Sequence, residues 1–572
     1  MSAPATTSSG LSPEARRALV LASLAQMALL ALAAWRNAEQ LNTDAIAYLQ
    51  LAHHYATGRP ELAVSGYWSP LLPWLLTPLL KLGVEPLAAA RAVMAFSAVV
   101  FYWGSVAVLR AFWLPKKQLV RGAWLCAIAG VAWSVRHITP DLLAAGLLGF
   151  AFAAVLGGRW LEDERAAVLT GGWWAMAYLA KAVALPLALL VGLPLALLVG
   201  LERGSMRRAA GKFGIVLLGT LVVAMPWMVT ISFKYERAVF STTARIAHAV
   251  AGPAGAASYH SFERVFHTPD SGRVTQWEDP SLMPYEFWSP FDSAAHFRHQ
   301  LGVMGGNFAT ELAMLGGADL TAVPQVFARP GAGAVARVLS GTDLFWLGLL
   351  ALGVCCWVTK PWRETLARER WRWAAVPCLG VMAVYLPVLL MRGDQRYFVG
   401  LLPFLWVAAH GAATWCLQRR GMTDTRHAAR ALGFTWGSFL VVAVVWAVAA
   451  VGPGLPNAAS TASRELAGRL RAANVRAPIA GSALMQGGRA GLYTAWRLGV
   501  PWHGDEPDAT PQRYLASGAG LVVVTRGSAL DAALAAHPAF DNLDRRLFKS
   551  PQDAARAPLR AFAVKAGASP RQ

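Results

Sequence analysis

Runs of about 20 apolar residues recur along this chain, and that length is what a helix needs to cross roughly 30 Å of hydrocarbon. Of its 572 residues, 56% are hydrophobic and only 15% are charged. Soluble globular proteins carry about 25% charged residues. The sequence therefore predicts a polytopic α-helical membrane protein rather than a soluble one.

About eleven transmembrane helices are predicted from these runs. Their expected bounds are 18–36, 88–113, 119–136, 141–158, 166–181, 183–201, 213–233, 342–359, 373–391, 397–417 and 432–452. With the N-terminus placed in the cytoplasm, every short inner turn is basic, as the positive-inside rule requires. The net charge of +20 is thus dispersed between spans and forms no single basic face, which argues against a nucleic-acid partner.

This topology leaves three long segments on the outer side of the membrane, at 37–87, 234–341 and 453–572. We expect residues 1–452 to form the membrane domain and residues 453–572 to form a small α/β periplasmic domain. Apolar β-branched runs alternating with amphipathic ones predict its elements. They are a helix at Ser460–Ala473, a strand at 478–482, a helix at Arg489–Leu498, a strand at Leu521–Thr525, a helix at Ser528–His537 and a strand at Leu559–Lys565. The expected location is the inner membrane of a bacterium.

Asp44 is the first candidate for chemistry, since it lies about eight residues beyond the first span. The stretch from Asp44 to Tyr55 is typical of an interfacial helix with one apolar side. A carboxylate in the first turn of a helix also simply complements the helix dipole. The residues alone therefore leave both a catalytic and a structural role open for Asp44.

Further ionisable residues lie at the outer ends of distant spans. Asp141 begins the fourth span, where Thr139 or Asp141 could also cap the helix. Lys181 ends the fifth span, and Arg392 and Arg396 lie in the short turn between the ninth and tenth spans. Cations on the outer side oppose the positive-inside rule, and ionisable groups at membrane depth are functional candidates. Their shared position on one side of the membrane indicates a functional site more strongly than any single residue does.

The order of these motifs resembles that of a known family. An acid after the first span is followed by Trp68-Ser69-Pro70-Leu71, Thr139-Pro140-Asp141-Leu142-Leu143, Ala180-Lys181-Ala182 and Arg396-Tyr397-Phe398-Val399-Gly400. Together with an outer soluble tail, this order resembles the GT-C glycosyltransferases, and among them the protein mannosyltransferases and the aminoarabinose transferase of lipid A. The family usually has Asp-Glu at its first site, where this chain has Asp44-Ala45.

The resemblance implies transfer of a sugar from a polyprenyl-phosphate donor to an acceptor hydroxyl on the periplasmic face, with inversion at C1. Asp44 would act as the general base, assisted by Asp141, which would orient Lys181 or the acceptor. Lys181, Arg392 and Arg396 would bind the donor phosphate, because lysine offers a point charge and arginine a bidentate fork. The lipid is one partner, and the acceptor is a glycan, a lipid or a protein.

Residues near these motifs are candidate substrate contacts. They are Tyr48, His53, Tyr67, Trp68, Trp277, Glu278 and Tyr397. His53 and His54 point about 100° apart on a helix, so at most one of them faces a shared site. The aromatic and acidic stretch 277–291 suits sugar recognition, but it equally suits a segment lying on the membrane interface.

Two other function classes stay open at this point. A transporter or flippase for a lipid-linked sugar would need internal repeats or broken helices at the bilayer midplane. A non-catalytic scaffold would leave the outer Asp44, Lys181 and Arg396 without a role. No histidine lies beside a carboxylate at metal-ligand spacing, so a required metal is not predicted, although some GT-C enzymes use a divalent metal.

Overall fold

A computed structural model describes most of the chain, and the ranges it covers decide which predictions meet a structure. The described residues are 11–253, 265–316, 369–388, 395–419, 458–485, 488–506 and 509–565, together with isolated positions. The predicted spans 342–359 and 432–452 lie outside this part, apart from isolated positions, as does Arg392.

Helices dominate the first 316 residues. They are α1 (Pro13–Arg36), α2 (Thr43–Ala56), α3 (Pro60–Ala63), α4 (Leu71–Lys81), α5 (Pro86–Ala111), α6 (Lys116–Arg136), α7 (Asp141–Gly157), α8 (Glu164–Ala180), α9 (Ala184–Leu187), α10 (Leu193–Glu202), α11 (Met206–Lys234), α12 (Thr243–Val250) and α13 (Ala294–Gly316). A π turn at Ala188–Gly192 joins α9 to α10. Helices Ala375–Tyr385 and Leu402–Arg419 follow.

Within the part of the chain that the structure describes, five helices are long and apolar enough to cross a membrane: α1, α5, α6, the joined α9–α10 and α11. Their bounds agree with predicted spans to within a few residues, except that α11 begins seven residues earlier than the span predicted at 213. Two further predicted spans, 141–158 and 166–181, form α7 and α8, of 17 residues each. The chain is a helical membrane protein, and the total of eleven spans stays a prediction.

Local sequence signals fix where these helices begin. Ser12 caps α1 by accepting a hydrogen bond from the Ala15 amide at 3.3 Å, and Pro13 occupies the first turn. Glu85 caps α5 in the same way, with Pro86 as the first helical residue. A side-chain cap satisfies amides that the helix leaves unpaired, and proline costs nothing there because its missing N–H is not needed. The starting positions of α1 and α5 therefore follow from these residues.

Glycines let the helices that carry the site approach closely. A Cβ added at Gly104 of α5 would lie 2.1 Å from the Gly146 carbonyl oxygen of α7. A Cβ at Gly171 of α8 would lie 2.3 Å from the Val216 carbonyl oxygen of α11. Small residues allow backbone contact of this kind in membrane helices. These contacts fix the spacing of α5 against α7 and of α8 against α11.

Helix α2 differs from its prediction. We expected an interfacial helix with one apolar side, but every residue from Ala45 to Ala52 is buried. Helix α4 and the short turn Gln276–Glu278 pack against it, so it is enclosed on more than one side. Most of the helix is therefore enclosed by protein, although His53 is exposed.

The tail contributes five of the six strands of a sheet that has both parallel and antiparallel neighbours. In spatial order the strands are β1 (Val265–Phe266), β5 (Trp502–Asp505), β2 (Ile479–Ser482), β6 (Leu521–Thr525), β8 (Leu559–Val564) and β7 (Phe540–Asn542). Strand β3 (Leu484–Met485) pairs with β4 (Gly488–Arg489) in a separate ribbon. The helices of the tail are Ala458–Ala472, Ala490–Leu498, Pro511–Ala516, Ala529–Ala536, Asp544–Leu547 and Pro551–Arg556. All six predicted elements of the tail are present within one or two residues.

Three strands of this sheet, β1, β5 and β7, were not expected from the sequence. Strand β5 consists of Trp-His-Gly-Asp, which contains no β-branched residue to signal a strand. Strand β1 lies in the segment between α12 and α13, and it pairs antiparallel with β5. The tail sheet therefore includes a piece of the predicted outer segment 234–341.

The tail is docked on the residues that lead into α2. The Tyr493 hydroxyl donates to the Leu41 carbonyl at 3.3 Å. Arg497 forms an ion pair with Glu39 at 2.9 Å, and Arg464 contacts the same carboxylate at 3.3 Å. These contacts hold the short connection between α1 and α2, and hence the start of α2, against the tail.

Candidate active site

A cavity of about 210 Å³ lies where the ends of several membrane helices meet α2. We call it the Asp44 cavity. Its ionisable lining residues are two carboxylates and two cations: Asp44, Asp141, Lys181 and Arg396. Its aromatic lining residues are Tyr48, Tyr67, Trp68, Phe240, Trp277, Tyr385 and Tyr397.

Helix order explains why these side chains meet. Asp44 lies in the first turn of α2, which follows α1, and Asp141 is the first residue of α7. Lys181 directly follows the last residue of α8, and Arg396 lies in the 3₁₀ turn Gln395–Tyr397. Consecutive antiparallel helices return to the same side at every second turn. One cavity can therefore collect residues separated by hundreds of positions in the sequence.

The four charged side chains form one network. Arg396 donates from Nη1 to Asp44 Oδ2 at 2.8 Å, and its Nε lies 3.8 Å from Asp141 Oδ2. Lys181 donates to Asp141. All four are largely shielded, with side-chain exposures between 7% and 23%. Because two positive charges match two negative ones, the cavity is balanced, as buried charges must be.

Tyr397 links the two cations of this network. Its hydroxyl accepts from Arg396 at 3.2 Å, and the Lys181 ammonium lies 4.1 Å from its ring centroid. A cation over an aromatic face is attracted by the ring quadrupole. On its other side, Tyr397 stacks on Tyr385 with centroids 5.0 Å apart. Tyr385 lies inside an apolar span, so no local sequence pattern marked it as a site residue.

An aromatic wall closes the side of the cavity next to α2. Trp68 lies edge-on to Tyr48 and Trp277, with centroids 5.0 and 5.3 Å away, and its indole N–H donates to the Trp277 carbonyl at 2.7 Å. Burial, reinforced by nearby carboxylates, raises the pKa of Tyr48 and of Tyr67 well above the ordinary phenol value. Both phenols therefore stay neutral and can donate hydrogen bonds near the network.

Glu278 is not among the residues that reach this cavity. Its carboxylate is fully buried, accepts from the Val274 and Thr275 amides at 2.7 and 3.0 Å, and lies 2.7 Å from His54 Nε2. It completes a capping box with Thr275. The Thr-x-x-Glu pattern that announces such a box is visible in the sequence. Glu278 is thus a buried structural group that fixes the neighbouring Trp277.

The adjacent acid, Asp279, anchors the same segment to the membrane helices. It pairs with Lys234 at 2.5 Å and accepts from the Tyr235 hydroxyl at 2.8 Å, both at the end of α11. Ser65 contributes a longer hydrogen bond of 3.4 Å. The segment around residue 277 is therefore fixed by buried polar contacts. These partners carry no local sequence signal, because they lie more than 40 residues away.

His53 also lies away from the Asp44 cavity. Nine residues separate it from Asp44, and at about 100° per residue this places the two on opposite faces of α2. His53 instead lines a second cavity, described below. Within the described residues, no group of three or more His, Cys, Asp or Glu side chains is arranged to hold a metal ion.

Comparison with known proteins identifies the fold. Over 97% of this chain and 99% of the other, it is similar to ArnT from Cupriavidus metallidurans, solved bound to undecaprenyl phosphate, with 15% identity and a TM-score of 0.51. It also resembles the archaeal oligosaccharyltransferase AglB from Archaeoglobus fulgidus, solved with an inhibitory peptide and a dolichol-phosphate, with 12% identity, coverage of 90% and 69%, and a TM-score of 0.52. No family model and no curated protein matches the sequence. These neighbours are GT-C fold glycosyltransferases, so the chain has the GT-C fold, as its sequence motifs suggested.

Proposed function

We propose that this chain is a glycosyltransferase of the bacterial inner membrane, which moves a sugar from a polyprenyl-phosphate donor to an acceptor hydroxyl at the Asp44 cavity, on the periplasmic face. One observation carries the proposal: a carboxylate and two cations from distant helix ends share one partly shielded pocket. Base catalysis and phosphate binding need these charges in one place. The two solved neighbours hold undecaprenyl phosphate and dolichol-phosphate respectively, which fits a lipid-phosphate donor.

Asp44 is the proposed general base. As the acceptor oxygen attacks C1 of the sugar, Asp44 takes the hydroxyl proton, and the bond between C1 and the phosphate oxygen breaks with its electron pair going to the phosphate. A single displacement of this kind inverts C1. A positioned base typically contributes about 10²–10⁴-fold. The hydrogen bond from Arg396 holds the Asp44 carboxylate in place for this step.

Lys181 and Arg396 are the proposed ligands of the leaving phosphate, and Arg392 is retained as a third candidate although it lies outside the described residues. Both described cations are neutralised by carboxylates in this structure. A donor phosphate would bind these two cations alongside the carboxylates that already pair with them. Arginine suits this exchange, because its planar fork can hold two acceptors at once. Asp141 then acts as a positioning residue that aims Lys181 and Arg396.

The remaining lining residues suit the prenyl chain and the sugar of such a donor. The apolar residues Val183, Pro186, Val384 and Val388 line the cavity beside the charged network, where a prenyl chain would pass. Tyr48, Tyr67, Trp68, Trp277 and Tyr397 remain the proposed sugar-facing set. A charged network at helix ends, rather than at the bilayer midplane, favours an enzyme over a transporter.

The test is transfer of labelled sugar by the purified full-length chain in liposomes. Comparison of envelope glycolipids in cells with and without the gene first identifies the sugar and acceptor. We expect Asp44→Asn to lower transfer at least about a hundredfold, because the amide cannot accept the proton, while binding of undecaprenyl phosphate persists. Glu162→Gln, a change on the opposite side of the membrane helices, is the matched control. Full transfer by Asp44→Asn would remove Asp44 from the mechanism.

A further inference from the structure

A second cavity, of about 800 Å³, lies on the other face of α2. We call it the arginine cavity. Its walls are α2, the start of α5, residues 272–274 and the tail helices Ala458–Ala472 and Ala490–Leu498. Its volume falls in the range of small-molecule binding sites. No step proposed for the Asp44 cavity uses it.

Positive charge is in excess in the arginine cavity. Five arginines line it, against the single carboxylate of Glu85: Arg59, Arg273, Arg464, Arg471 and Arg497. Glu85 also caps α5 by accepting from the Ala88 amide at 2.8 Å. Glu39, nearby, compensates two of the arginines. The described residues place no carboxylate within ion-pair distance of Arg59 or Arg471, so described groups do not cancel the excess.

Arg273 shows that this charge is not merely a solvated rim. Only 5% of the residue is exposed, yet its Nε and Nη1 atoms make no hydrogen bond in the structure. Its nearest carboxylates, Asp270 and Glu278, lie 3.6 and 4.0 Å away. The Nδ1 atom of buried His54, another lining residue, also lacks a hydrogen-bond partner. Arg273 therefore adds a buried positive charge behind the cavity wall, and its nearest carboxylates lie beyond hydrogen-bond distance.

The two cavities are adjacent, since α2 and the segment around residue 277 separate them. Asp44 and Tyr48 line one cavity, and Gln50 and His53 line the other. Nine residues of helix span about 14 Å along the axis. A ligand in the arginine cavity would therefore lie across α2 from the Asp44 cavity, about 14 Å away along the helix axis.

From these observations we propose that the arginine cavity binds a saccharide bearing phosphate or carboxylate groups, as the anionic part of the acceptor. Arginine forks recognise both groups in bidentate fashion. The half-buried Trp496 ring in the lining offers an apolar face beside them. The acceptor role rests on the proposed glycosyl transfer, whereas the binding itself does not.

The test uses the full-length chain in nanodiscs of neutral phosphatidylcholine. Binding of glucose 6-phosphate, glucuronate and neutral glucose is measured by calorimetry. We expect the two anionic sugars to bind and glucose not to bind. The affinity should weaken as salt rises from about 50 to about 300 mM, because exposed charges are screened over a Debye length.

Variants test whether glucose 6-phosphate binds in the arginine cavity. We expect Arg59→Gln/Arg471→Gln to weaken glucose 6-phosphate binding roughly tenfold, since each change removes a charge-assisted contact. The matched control is Arg545→Gln, an exposed tail arginine away from both cavities. Equal binding of glucose, or equal losses in the control, would overturn the proposal. Binding that appears only to nanodiscs containing phosphatidylglycerol would also overturn it, in favour of a lipid headgroup site.

One further variant separates this proposal from the proposed function. Asp44→Asn should bind glucose 6-phosphate as the unchanged protein does, because Asp44 lines the other cavity. Retained binding together with full transfer by Asp44→Asn would refute the proposed catalytic role of Asp44 and leave the anion site standing. Lost binding in Asp44→Asn would mean that the anion occupies the Asp44 cavity instead, which would refute the assignment to the arginine cavity.

Discussion

The Asp44 cavity and the arginine cavity share helix α2 but differ in how they manage charge. The first, of about 210 Å³, balances two carboxylates against two cations, and the second, of about 800 Å³, holds five arginines against one glutamate. Balanced charges can exchange partners with a ligand at little cost, which suits a reacting centre. Excess charge attracts an anion and holds it, which suits an anchoring site. The contrast assigns different tasks to the two faces of one buried helix.

The largest expected difference between the cavities concerns the stability of the fold. Arg396→Ala removes the side chain that pairs with Asp44, and should cost about 1.5–3 kcal/mol because Asp44 loses its charged hydrogen-bond donor, whereas Asp141 keeps Lys181. Arg471→Gln in the arginine cavity should change stability by less than about 0.5 kcal/mol, since it removes an exposed charge. Denaturant unfolding in detergent micelles measures both.

A double change sharpens this test. Arg396→Ala combined with Asp44→Asn should recover part of the lost stability, because the second change removes the carboxylate that has lost its cation. Equal costs for Arg396→Ala and Arg471→Gln would mean that the two cavities do not differ in the way described.

A smaller effect is expected for Lys181. Lys181→Met should weaken binding of undecaprenyl phosphate about tenfold or more, the value of a charge-assisted hydrogen bond. Lys181→Arg, which keeps the charge, should retain part of the affinity. Neither change should alter glucose 6-phosphate binding in the arginine cavity. Filter binding of labelled undecaprenyl phosphate is a suitable measurement, and an unchanged affinity in Lys181→Met would exclude this lysine as a phosphate ligand.

The smallest effect concerns pH and the arginine cavity alone. Burial, and then the neighbouring His54 and Arg59, lower the pKa of His53 below its ordinary value, so the ring is neutral at pH 7. Acidification through that lowered pKa adds positive charge to the cavity. Glucuronate, whose carboxylate stays ionised, should bind more tightly at about pH 5 than at pH 7, by less than about threefold. The increase should vanish in His53→Gln, and its persistence there would assign the effect to another group.

The sequence predicted the parts of this structure that depend on local pattern. Hydropathy located the described spans. Asp44, Asp141, Lys181 and Arg396 were all expected on one side of the membrane, and the structure brings these four side chains into one cavity. These predictions succeed because helix order and sidedness are set by short-range signals. Tail elements such as Leu521–Thr525 were predicted for the same reason.

The features that sequence reasoning missed depend on contacts between distant residues. The arginine cavity draws Arg59, Arg273 and Arg471 from three separate segments, and no local pattern joins them. Glu278 was expected to contact a sugar; its capping box with Thr275 follows a local pattern, but its burial against His54, 224 residues away, does not. The opposite facing of Asp44 and His53 on α2 could have been deduced from helical periodicity alone.

Strand β1 has a consequence for how the chain can be divided. It supplies the outer border of the sheet beside β5, although it lies more than 180 residues before the tail begins. A fragment starting at residue 453 would leave the backbone amides and carbonyls of β5 unpaired along that border, a template for self-association. The tail is therefore completed by the preceding polypeptide, and its solubility depends on a dipeptide that lies outside it.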